Sequence, residues 1–321
     1  MFSNYHYFLA FAEELNVTRA AERLFISHQN LSKYLSNLEK KLGVRLFERK
    51  PYISLTLEGK LLYDTFRQTE VLERSLKDQY ADLQGDRSGQ IRLGTTEGRF
   101  RILMPDIMSE FMGKYPDVHL NIVSAPSPDL QDMILNDQLD LVVFGIPQER
   151  SRYIHYTEIL QEHLYLVVSD AMLQAQFGDE YAVRKEQFRK GADLRLFQGM
   201  PFALNLPIYN SSRLIQEHLE SIGAEINCVH VSSHPDLHHM MSARNYAASF
   251  CLTMYLPSLF KLNAESGNSL NVFPILGLTG TNPVVIARHQ DRTFPSHTQD
   301  LIRMLSRQCA SFARYDLSPV Q

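Results

Sequence analysis

The first sixty residues carry the clearest alternation of apolar and polar positions. Asn4 to Leu15 predicts a helix with Phe8, Phe11 or Ala12, and Leu15 on one face. Ala20, Ala21 and Leu24 repeat the helical spacing, and Leu31, Leu35, Leu38 and Leu42 resume it after a break at Phe25-Ile26. Ser27 can accept a hydrogen bond from a free N–H at the new helix start, and Gly43 can end that helix. Two helices joined so tightly predict a helix-turn-helix. Val44 to Leu55 then predicts two short strands around a Pro-containing turn, the pattern of a wing. Thr56 caps a helix expected to run to about Leu83. In it Leu62, Thr69, Leu76 and Leu83 recur every seven residues, with Thr65 and Leu72 on the row between. That seam predicts a two-stranded helical linker, and Gln84 to Gly89 a hinge.

From Gln90 the pattern changes to short apolar runs separated by helical spacing. Strands are expected at 91–94, 118–123 and 139–144, with helices at 103–115 and 129–136 between them, a βαβ arrangement with a parallel sheet. A strand at 164–168 leads to a second set: strand 202–204, helix 211–222, strand 226–231, helix 236–243 and strand 247–252. Val272-Phe273, a strand at 284–287 and a helix from His297 to about Ala313 are expected to return to the first half.

Charge sharpens this division. The formal net charge is −4, yet residues 1–60 hold nine Lys/Arg against six Asp/Glu, leaving 23 against 30 for the rest. A basic N-terminal module on an acidic body suits a nucleic-acid binder with a second task. The outward face of the second helix is expected to offer His28, Gln29, Asn30, Ser32, Lys33 and Tyr34. Asn and Gln can pair with adenine, and Lys with guanine or phosphate. Arg49 and Lys50 in the wing suit phosphates beside the groove.

From Phe8 to Gly59 the chain resembles the N-terminal domain of the LysR-type transcriptional regulators. The resemblance rests on Phe8, Ala12, Thr18-Arg19-Ala20-Ala21-Glu22, Leu24, Ser27, Leu31-Ser32-Lys33, Leu38-Glu39, Leu42-Gly43, Leu46-Phe47-Glu48-Arg49, Leu55-Thr56 and Gly59. His28 and Gln29 stand where the family usually has Gln and Pro. Within the matched run, Thr18, Arg19 and Ser27 join the residues above on the expected DNA surface. A looser likeness covers the rest, through Gly89 to Gly94, Tyr115-Pro116 and Leu139-Asp140-Leu141. It implies a two-lobed α/β effector domain like a periplasmic solute-binding protein.

The expected architecture is therefore α/β overall, with three parts. Residues 1–58 form a winged helix-turn-helix, 59–88 a dimerising linker helix and hinge, and 89–321 an effector domain. Lobe 1 spans about 89–163 and 270–321, and lobe 2 about 164–269. Small molecules bind open α/β lobes at the carboxyl ends of parallel strands. That selects Thr95, Thr96, Ser127 and Phe144 on one lobe and Asn205 on the other. Arg99 and Arg101 stand close enough in sequence to suit a carboxylate, so a small anionic effector is expected.

The remaining chemistry is spare. Phosphate-loop, nucleotide-fold, Gly-x-Ser-x-Gly and His-Glu-x-x-His patterns are all missing, so no catalytic residue, metal or cofactor is expected. His230, His234, His238 and His239 are dense, but Pro235 interrupts their spacing and a solvated strand-to-helix edge explains them better. Three dispersed cysteines, Cys228, Cys251 and Cys309, suit a reducing cytosol, as structural thiols. No run nears the ~18 apolar residues of a membrane helix. The expected partners are double-stranded DNA with an inverted repeat, a small-molecule effector, further copies of the chain as dimer or tetramer, and RNA polymerase, in the bacterial cytoplasm. The rival reading is a metabolite-handling enzyme or binding protein with an incidental N-terminal helical domain.

Overall fold

A computed structural model describes residues 4–48, 52–85, 88–267 and 270–317. The head is built from α1 (Tyr5–Glu14), α2 (Val17–Arg23) and α3 (His28–Leu42). Their apolar faces meet in one core of Phe8, Phe11, Ala20, Leu31, Leu35 and Leu38. Phe8 sits between Phe47 and Phe66, with ring centroids 5.4 and 5.6 Å away. The join between α2 and α3 is strained, because Phe25 adopts the left-handed φ of 54°. Its side chain is 96 % exposed, so no packing offsets that strain. Two short strands, β1 (Phe47–Glu48) and β2 (Ser54–Leu55), pair antiparallel. The tip between them, with Arg49 and Lys50, lies outside the described residues.

The long helix α4 (Leu57–Leu83) is capped by Thr56, whose Oγ1 accepts from Gly59 N. Its inner face belongs to two bodies. Phe66 enters the head core and Tyr5 Oη donates to Glu73 at 2.9 Å. Further along, Arg74 pairs with Asp137 at 3.0 Å, Asp78 with Arg292 at 2.6 Å, and Gln79 donates to Thr293 at 2.7 Å. The outer face is an apolar stripe of Leu57, Leu61, Leu72, Leu76, Tyr80 and Leu83. Spacings of three and four residues through Thr65 and Thr69 make it continuous. The expected seam differs at one position: Leu62 packs against the head core, and Leu61 takes the outward place.

Next along the chain come β3 (Gly89–Thr95), α5 (Glu97–Lys114), β4 (Val118–Ser124), α6 (Ser127–Leu135), β5 (Leu141–Gly145), β6 (Ile154–Glu162) and β7 (Leu164–Ser169). They are followed by α7 (Asp170–Phe177), α8 (Tyr181–Phe188), β8 (Pro201–Asn205), α9 (Asn210–Ile222), β9 (Asn227–Ser232), α10 (Pro235–Ala243), β10 (Ser249–Leu252) and α11 (Leu256–Ser266). The chain closes with β11 (Leu270–Pro274), β12 (Asn282–His289) and α12 (Ser296–Ser311). Lobe 1 holds a sheet in the order β4-β3-β5-β12-β6. Its first three strands are parallel as expected, but β12 and β6 extend it antiparallel. Leu103, Ile107, Phe111, Leu301 and Leu305 of α5 and α12 cover one face of it. Leu130 and Ile134 of α6 cover the other, over Val142 and Phe144.

Lobe 2 repeats the plan. β9 pairs parallel with β8, and β10 and β11 flank β7 antiparallel. Ala203 N and Ala248 N donate across to Ala248 O and Pro201 O, both at 2.8 Å, which joins β8 to the start of β10. The order is then β9-β8-β10-β7-β11, the same arrangement by succession as in lobe 1. The strand Val272-Phe273, expected in lobe 1, pairs with β7 and belongs here. The chain therefore returns to lobe 1 after Pro274. Among the described residues no helix is long and apolar enough to cross a membrane.

Candidate functional site

Two surfaces gather the polar side chains that the packing does not consume. The first is the start of α3. Asn16 caps α2 by accepting from Thr18 N and Arg19 N at 2.9 and 3.1 Å, and Ser27 Oγ caps α3 by accepting from Asn30 N at 3.2 Å. These caps satisfy donors that would otherwise be free, and they fix where each helix begins. Burying Leu31, Leu35 and Leu38 turns His28, Gln29, Asn30 and Lys33 outward, with Ser32 half-buried beside them. Among the described residues none of these five is engaged in an ion pair. Thr18 and Arg19 are exposed on α2. Arg19 is held to Glu14, its guanidinium donating to the Glu14 carbonyl at 3.0 Å.

The second surface is a cavity of about 410 Å³ between the lobes. Register explains its position. The last residues of β3 and β5 and the first of β12 lie on one edge of the lobe 1 sheet, where Asn282 pairs with Glu162 at the end of β6. The matching edge of lobe 2 brings Asn205, Leu252 and Leu164. Four helices also begin here. Thr96, Ser127, Asn210 and Ser211, and Pro235 stand at the starts of α5, α6, α9 and α10, and no side chain caps any of the four. Their first-turn N–H groups give this edge a partial positive charge.

Of the residues expected here, Thr96, Arg99, Ser127 and Asn205 line the cavity, and Thr95, Phe144 and Arg101 do not. Thr95 is inside the sheet, its hydroxyl donating to Val143 O at 3.0 Å. Phe144 faces the core under α6, and the next residue, Gly145, is the one that reaches the cleft. Arg101 is two residues from Arg99 on α5, about 200° around the helix. It lies exposed against Glu97 and Asp236, at 2.7 and 3.2 Å.

Sequence reasoning missed two residues, Glu162 and Asn282. Arg99 donates to Glu162 Oε2 at 2.6 Å and to Thr96 Oγ1 at 3.3 Å. Glu162 also accepts from Asn282 Nδ2 at 2.9 Å and from Met254 N at 3.2 Å. Arg99, Glu162 and Asn282 are all buried, so the ion pair is dry and fully hydrogen-bonded on its acidic side. Tyr255 lies against the first turn of α5, where a Cβ on Gly98 would run into its hydroxyl. Both residues were hidden because they arrive from antiparallel strands distant in sequence.

The histidines split into two kinds. His238 and His239 are buried in lobe 2, and desolvation pushes both down to about 4. His238 Nε2 lies 2.9 Å from Ser232 Oγ, and His234 Nδ1 lies 3.7 Å from Glu97. The solvated edge expected for this cluster is thus half wrong, since two of the four rings are in the core. Among the described residues no group of three or more His, Cys, Asp or Glu could hold a metal ion. Cys251 and Cys309 are buried, with thiols raised by desolvation, that of Cys309 to about 12.

Comparison with known proteins matches both parts of the chain. Residues 2–60 match the model of the bacterial regulatory helix-turn-helix protein, lysR family, and residues 84–310 that of the LysR substrate binding domain. The HTH-type transcriptional regulator YtlI of Bacillus subtilis is 26% identical over 298 residues, 90% of this chain and 88% of that protein. A full-length OxyR variant from Pseudomonas aeruginosa superposes with a TM-score of 0.62 at 18% identity, over 94% of this chain and 92% of that one. Full-length CbnR complexed with its target DNA gives 0.51 at 19% identity, over 94% and 97%.

Proposed function

Because the chain belongs to the LysR family of bacterial regulatory helix-turn-helix proteins, we propose how its own residues divide that family's work. It is a DNA-binding transcription regulator whose C-terminal domain binds a small-molecule effector, and such regulators oligomerise. The reading assigns base contacts to His28, Gln29, Asn30, Ser32 and Lys33, with Thr18, Arg19, Ser27, Arg49 and Lys50 on the backbone. The observation that carries it is the capped start of α3, which turns His28, Gln29, Asn30 and Lys33 outward, none of them in an ion pair among the described residues. The exposed stripe from Leu61 to Leu83 on α4 supports a homodimer through the linker, and two heads then read an inverted repeat. RNA polymerase is the further partner this reading expects, and the bacterial cytoplasm the compartment.

For the effector, four uncapped helix starts and the Arg99 side chain support a small anionic molecule held between the lobes. Thr96, Arg99, Ser127 and Asn205 would contact it. Footprinting on the promoter region beside its own gene, followed by a salt titration, tests the DNA half. Lys50→Ala should weaken all sequences alike and lower the salt slope by about one, whereas Gln29→Ala should relax preference at one base pair. Unchanged binding by both variants would reject the docking. Thr96→Val combined with Ser127→Ala should abolish effector-induced stabilisation and leave DNA affinity unchanged.

A further inference from the structure

We propose that the effector carries a hydrogen-bond donor, a hydroxyl or amino group, beside its anionic head, and that Asn282 reads it. This rests on the cleft reading above and narrows the class of ligand. Four buried polar atoms on residues lining the cleft have no partner in the protein, the acceptors Asn282 Oδ1 and Asn205 Oδ1 and the donors Arg99 Nε and Arg213 Nε, and of the two acceptors Asn282 is the more deeply buried. Asn282 is 3 % exposed and Arg99 6 %. The Asn282 amide has only one orientation. Its Nδ2 donates to Glu162 Oε2, and a carboxylate whose other bonds come from Arg99 and a backbone N–H accepts and does not donate. Its Oδ1 is therefore an acceptor, and a buried acceptor left unmet is costly.

The space beside that oxygen is kept open. Gly145 ends β5 on the same edge, and a Cβ there would sit 3.0 Å from Asn282 Oδ1 and 3.4 Å from Asn210 Nδ2. A bare carboxylate or inorganic anion satisfies the helix starts and Arg99 Nε, yet it sets an acceptor against an acceptor at Asn282. A 2-hydroxy or 2-amino acid meets both demands, since its donor lies one carbon from the carboxylate. Glu97 and Glu149 on the cavity wall add acceptors that favour an ammonium group over a second anion.

The test uses the full-length protein and matched acids: propionate, lactate and alanine, then succinate, malate and aspartate, with sulfate as a plain anion. Thermal stabilisation and calorimetric affinity are measured for each. Donor-bearing acids should bind about tenfold or more tightly than their donor-less twin. The preference for lactate against alanine, or malate against aspartate, then tells hydroxyl from ammonium. In Asn282→Ala the difference should shrink to within about twofold, and retained discrimination would overturn the role of Asn282. Equal binding of twins in the wild-type protein, with binding still lost in the Thr96→Val and Ser127→Ala double variant, overturns this inference and leaves the cleft standing. Binding that survives the double variant overturns the cleft itself. Stabilisation by none of the seven compounds overturns both.

Discussion

The two lobes share a strand order and differ in how they bury most of their ionisable groups, although lobe 1 also buries His289, lowered by desolvation as the lobe 2 rings are. Lobe 1 buries charges in pairs: Arg99 with Glu162, and Asp140 with Arg92 and Arg292. Lobe 2 buries neutral rings, His238 and His239, whose charged forms desolvation excludes. The lesson is that one topology tolerates two solutions to the cost of desolvation. A charged pair needs both partners at once, whereas a neutral imidazole needs only a pH above its folded pKa. Lobe 1 is also the lobe that α4 engages, through Asp137, Thr293, Arg292 and Ser296.

The comparison breaks most directly at Arg99. Arg99→Met leaves Glu162 buried without its ion-pair partner and should destabilise the protein by about 3–5 kcal/mol in urea unfolding. Adding Glu162→Met should restore most of that loss. If the single and double variants unfold alike, the pair is not what lobe 1 depends on. Arg292→Ala should cost less, about 2–3 kcal/mol, because Asp140 keeps Arg92. Its distinguishing effect is on coupling: with Asp78 released, effector binding should persist while its effect on DNA affinity falls.

The lobe 2 prediction concerns pH. Both histidines are lowered from 6.5 to about 4, so below pH 6.5 the unfolded chain binds protons that the folded chain refuses. Stability is then full above pH 6.5 and is lost as pH falls toward 4, at about 1.4 kcal/mol per pH unit for each ring. His239→Leu should flatten the dependence by one such increment, read from urea midpoints at several pH values. An unchanged slope would remove His239 as a source of the acid sensitivity. The smallest effect lies in neither lobe and serves as the control. Phe25→Asn relieves the left-handed strain in the head and should stabilise it by about 1 kcal/mol, without altering the pH slope or effector binding.

The head was legible in the sequence because one side of each helix faces water. Ser27, Gly43 and the leucines between them carry cap, stop and stripe around a helix of 15 residues. The lobes were less so, for physical reasons. All five residues of β5 are buried, so alternation cannot tell Phe144, under α6, from Gly145, at the cleft. Pro105 lies within α5, and the expected helix began too late, at Leu103. Arg99 and Arg101 therefore read as neighbours on a loop, and the helix sends them to opposite sides. β6 was missed outright, since Ile154–Glu162 mixes polar and apolar residues as an edge strand does. Glu162 and Asn282 could only be joined to Arg99 once that strand and β12 were paired.

The attachment of α4 to both the head and lobe 1 makes it a lever. Its 27 residues span about 40 Å at 1.5 Å per residue. Pivoting it by about 6° where Asp78 meets Arg292 carries Leu57, about 31 Å away, through about 3.3 Å, close to one base-pair step along DNA. A sidestep of that size changes which phosphates a head can reach without any rearrangement inside the head. A change in how α4 seats on lobe 1 that is slight at Asp78 is therefore multiplied along this arm before it reaches the head.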